Sequence, residues 1–65
     1  MFQLKYYVNY IEQGSNDESE GIRVWFRTRF MAEIDADGKN KIQSKYRRGN
    51  RLYYHVFDTD GKLVY

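Results

Sequence analysis

The chain has 65 residues, of which 18% are Tyr, Phe or Trp, and it has no cysteine and no proline. That length allows one small domain, residues 1–65, and the missing cysteines exclude a disulfide framework, a zinc knuckle and a thiol nucleophile. Eleven basic and nine acidic side chains leave a net charge of +2, spread unevenly: residues 1–22 hold one base against four acids, and residues 23–65 hold ten bases against five acids.

In chain order, the dominant period is two. Residues 2–12, FQLKYYVNYIE, put Phe2, Leu4, Tyr6, Val8 and Tyr10 on one side and Gln3, Lys5, Tyr7 and Asn9 on the other, the pattern of a half-buried strand. Residues 13–21, QGSNDESEG, read as a mobile acidic loop of the right sign to lie over a basic face. Residues 22–34 alternate again. Ile22, Val24, Phe26, Phe30, Ala32 and Ile34 fall on one face, and Arg23, Trp25, Arg27, Arg29 and Met31 on the other. Asp35-Ala36-Asp37-Gly38 has hairpin-turn chemistry. A weaker strand follows at 41–47, then a turn at Arg48-Gly49-Asn50, a strand at 51–57, a second Asp-Gly turn at 58–61 and a short strand at 63–65.

These elements predict an all-β fold, a five-stranded antiparallel meander. Its apolar face needs cover, so the sheet closes into a small barrel or two copies stack sheet on sheet. A 7.9 kDa chain is expected to keep about 4,400 Å² exposed when folded; its size favours the barrel slightly, while the thin core and the absence of staples favour a homodimer. No apolar run approaches the roughly 20 residues that span a bilayer. The first residues lack the basic-then-apolar pattern of a signal peptide, so a cytoplasmic chain without membrane contact is expected.

The non-core face carries the functional expectation. It would display Lys5 and Tyr7, then Arg23, Trp25, Arg27 and Arg29, then Lys41, Gln43, Lys45 and Arg47, and finally Arg51, Tyr53 and His55. The run from Lys41 to Arg51, with Arg48 in it, contains no acid. Cations neutralise phosphates, while rings and guanidinium planes stack on unpaired bases. The expected contact residues are Arg23, Trp25, Arg27, Arg29, Lys41, Lys45, Arg47, Arg48, Arg51 and Tyr53. The partner is single-stranded or distorted nucleic acid or, as the alternative, an acidic protein surface. In that second reading the chain is a small accessory protein, of the kind a phage directs at a host enzyme or defence complex, and the same Arg, Trp and Tyr side chains form its hot spot.

Catalytic readings are weaker. The Asp-x-Asp-Gly segments at 35–38 and 58–61 do not complete a calcium loop: with Gly38 at the sixth position the twelfth is Ser44, and with Gly61 there the chain ends first. Local Asx-turn bonding accounts better for these aspartates. His55 has no nitrogen or sulfur companion for a metal. As a general base it would need Arg47, Arg51 and Tyr53 around a phosphate. A non-catalytic module without cofactor or metal is therefore expected.

The tail, RRGNRLYYHVFDTDGKLVY, resembles the strand–turn–strand of the arm-type DNA-binding domains of tyrosine integrases. The likeness covers less than a third of the chain, and the helix that follows in that family has no counterpart after Tyr65. It implies DNA contact by the tail and assigns the whole chain to no family.

Overall fold

The computed structural model describes residues 3–46 and 49–65. It has three strands and one helix: β1 (Tyr6–Glu12), β2 (Val24–Phe26), α1 (Arg29–Tyr46) and β3 (Leu52–Asp58). The strands form one open antiparallel sheet in the order β2-β1-β3. The five-stranded all-β meander is therefore corrected, and with it the barrel. Of the predicted strands, the first and fourth stand, the second shrinks to Val24–Phe26, and the third lies in α1. The last is reduced to a bridge between Phe57 and Leu63 and backbone bonds from Val64 and Tyr65 to the Val56 carbonyl. Phe2 and Arg47 lie outside the described residues.

The helix forms where a strand and a turn were expected because residues 29–46 carry two periods at once. Phe30, Ala32 and Ile34 alternate, but Ala32 and Ala36, like Arg29 and Glu33 or Asp35 and Lys39, are four apart. The helical set is reinforced locally. The Thr28 hydroxyl accepts the Met31 N–H at 3.2 Å and so caps the first turn. Arg29–Glu33 at 2.8 Å and Lys39–Asp35 at 2.9 Å are i,i+4 ion pairs. The decisive contribution is packing. Ala32 and Ala36 are fully buried against Val8 and Val56, with Tyr6, Phe26, Tyr54 and Val64 around them. Two alanines let the helix axis approach the sheet closely.

A side-chain fork ties the helix to β3. Asn40 donates to the Tyr54 carbonyl at 2.9 Å and accepts from the Tyr54 N–H at 2.7 Å. The helix thus covers the apolar face of the sheet, and stacking of two sheets through that face is excluded. At the other end, the predicted turn at 58–61 is present. The Asp58 carboxylate accepts the N–H groups of Asp60 and Lys62, both at 2.9 Å, and Gly61 has φ of +79°.

Candidate binding face on the open side of the sheet

Alternation along β1 sends Tyr6 and Val8 to the helix and Tyr7 and Asn9 to the opposite face. The register sets Trp25 on one side of Tyr7 and Phe57 on the other, His55 beside Asn9, and Tyr53 beside Ile11. The Tyr7 ring lies 4.9 Å from Trp25, tilted by 54°, and 5.1 Å from Phe57, nearly parallel. The Arg23 guanidinium sits 4.4 Å from the centre of the same ring. Tyr7, Asn9 and Phe57 are all buried, although they face away from the helix.

Residues of the acidic loop provide the cover. The two Glu18 carboxylate oxygens accept the Tyr7 hydroxyl at 2.7 Å, the Asn9 amide at 2.6 Å, and Arg23 Nε and Nη2 at 2.8 and 3.2 Å. Ser19 extends the attachment, its N–H donating to the Tyr10 carbonyl at 3.0 Å and its hydroxyl to Asn9 Oδ1 at 3.2 Å. Gly21 is needed for close approach, since a Cβ there would stand 2.6 Å from the Tyr10 ring. The expected mobile loop is therefore pinned, and a glutamate of it does lie against an arginine of the open face.

The electrostatics follow from this convergence. Burial pushes the Tyr7 hydroxyl up to about 12, helped by the hydrogen bond to Glu18 and by its charge. Burial also acts to raise Glu18, but the hydrogen bonds from Tyr7, Asn9 and Arg23 outweigh it and hold the carboxyl below its ordinary range. The hydrogen bond to Glu18 raises Arg23 further.

The ten expected contact residues do not form one surface. Arg23 and Trp25 share the open face, as does Tyr53, whose ring lies 4.9 Å from the Arg51 guanidinium. The Arg51 Nε is buried without a hydrogen-bond partner among the described residues. Arg29, Lys41 and Lys45 belong to α1, across the sheet, and Arg29 is engaged with Glu33 and the Val64 carbonyl. Arg27 lies in the short link between β2 and α1. Arg47 and Arg48 lie outside the described residues. Once residues 29–46 coil, alternate positions no longer share a side, and the expected face divides in two.

Glu18 was missed as a site residue, as was Asn9. Acidity marks the loop, but nothing in the sequence distinguishes Glu18 from Asp17 or Glu20. A hollow of about 470 Å³ under the loop is lined by Glu12, Asp17, Glu18 and Glu20, a sign that repels polyanions. No family model, curated protein or solved structure matches the chain. Among the described residues no helix is long and apolar enough to cross a membrane.

Proposed function

We propose that the chain is a non-catalytic binding module. In this reading its open sheet face contacts single-stranded or distorted nucleic acid through Arg23, Trp25, Arg51 and Tyr53. The supporting observation is the convergence of four hydrogen bonds, from Tyr7, Asn9 and the Arg23 fork, on one anionic group. A fork of this kind suits phosphate as it suits carboxylate. Trp25 beside it offers a ring on which a base can stack, and Arg51 over Tyr53 offers a second guanidinium–ring pair. Glu18 must withdraw before a phosphate can enter, so the acidic loop competes with the ligand. A cytoplasmic location accords with this role.

Titration of a labelled single-stranded oligonucleotide at about 50 mM and about 200 mM salt tests the reading. Affinity falls steeply with salt, and Arg51→Glu weakens binding roughly tenfold or more. Absence of binding at the lower salt overturns it.

One observation favours docking on an acidic protein surface as a second reading: the group held by Arg23 is itself a carboxylate. Such an accessory protein would engage a host enzyme or defence complex through the same Arg, Trp and Tyr side chains. Affinity capture before and after nuclease treatment separates the two. A stoichiometric protein partner that survives nuclease supports docking, and loss of all captured material supports nucleic acid.

A further inference from the structure

The helix is packed with its small side chains inward and its large ones outward. Ala32 and Ala36 meet the sheet, while Phe30 and Tyr46 are each 72% exposed, Ile42 60%, Ile34 56% and Met31 51%. Phe30, Ile34, Gly38, Ile42 and Tyr46 fall four residues apart and so form one continuous ridge on the helix surface. At its centre, a Cβ on Gly38 would meet nothing within 4 Å, although glycine inside a helix costs about 1 kcal/mol relative to alanine. The folded chain exposes 5096 Å², more than the roughly 4,400 Å² expected for its mass. An apolar ridge of this length on a small protein marks an interface.

We infer that this ridge binds a second copy of the chain, the two helices crossing antiparallel at Gly38. The argument for a second copy is the near-palindrome about that residue. Four positions to either side stand Ile34 and Ile42, and eight to either side stand Phe30 and Tyr46. A two-fold axis through Gly38 therefore sets Ile34 against Ile42 and Phe30 against Tyr46. The flanking charges are complementary under the same operation. On one flank Asp37, which also accepts the Tyr65 hydroxyl at 2.9 Å, and Glu33, held in its own chain by Arg29, meet Lys41 and Lys45 of the second copy, while on the other flank Asp35 and Lys39 pair within each chain. A parallel pairing would oppose like charges instead. Gly38 lets the two backbones approach where they cross. The four large side chains of the ridge expose on the order of 600 Å² per copy, close to the roughly 800 Å² per partner of a standard interface. The pairing leaves both open sheet faces outward, so it is independent of what those faces bind.

Sedimentation equilibrium of the full chain tests the inference. At concentrations up to about 1 mM the wild type sediments with twice the chain mass. Ile42→Asp, at an exposed position, halves that mass while the circular dichroism of the fold is unchanged. Lys41→Asp weakens the dimer at least about tenfold at low salt, and adding Asp37→Lys to it restores pairing. A wild-type chain that remains monomeric throughout overturns the inference, as does one that meets only an unrelated protein through this ridge. A dimer that survives Ile42→Asp also overturns it.

Discussion

The Tyr7 hydroxyl donates a 2.7 Å hydrogen bond to Glu18, eleven residues further along the chain. This contact joins the start of the central strand to the middle of the acidic loop. Asn9 and Arg23 join the same carboxylate, so a sheet face that lacks a second layer of regular structure is closed by one anion and the donors around it.

Stability is expected to fall at both pH extremes through this pair. Glu18 is depressed in the folded state, so its contribution is complete above the ordinary carboxyl range and is lost as pH falls through the folded value. Tyr7 is raised, so its contribution is complete below about pH 10 and is lost as pH climbs toward 12. The alkaline loss is of order 2 kcal/mol. Urea midpoints across the pH range measure it. The alkaline limb should flatten in Tyr7→Phe, which also costs about 1 kcal/mol at neutral pH.

Glu18→Gln removes the charge and replaces one acceptor oxygen with an NH2 group that the surrounding donors cannot use. A loss of about 1–3 kcal/mol is expected at neutral pH, read as a lower urea midpoint. Exchange of the Asn9 side-chain amide protons should quicken in parallel, because its charged acceptor is lost.

Two glycine substitutions should act with opposite sign. Gly21→Ala drives a methyl into the Tyr10 ring and is expected to cost about 1–3 kcal/mol. Gly38→Ala places a methyl in open space on a helix and is expected to gain up to about 1 kcal/mol. Thermal melts in an Ile42→Asp background compare the two without interference from pairing.

Asn40→Ala should cost about 1–3 kcal/mol, since both of its bonds reach the backbone of Tyr54 and truncation leaves those groups without their partner. Hydrogen exchange at the Tyr54 amide should accelerate more than at Val8, which lies in the central strand.

Much of the sheet was legible in alternation. Tyr6, Val8, Val56 and Tyr54 go to the core side and Tyr7, Trp25 and Tyr53 to the other side, as the two-residue period implies. The Asp58–Gly61 turn was equally legible, because Asx chemistry is local. The helix was not. Residues 29–46 satisfy a strand period and a helix period together, and the Asp-Ala-Asp-Gly segment locally favours a turn although it lies inside the helix.

By itself, then, the sequence determined which side chains of each strand share a face, since that depends only on neighbours along the chain. Tertiary structure alone decided between strand and helix for residues 29–46, because the choice rests on whether Ala32 and Ala36 find Val8 and Val56 to pack against. It likewise decided that Glu18, among the loop acids, closes the open face. Only in three dimensions do Tyr7, Asn9 and Arg23 converge on one carboxylate.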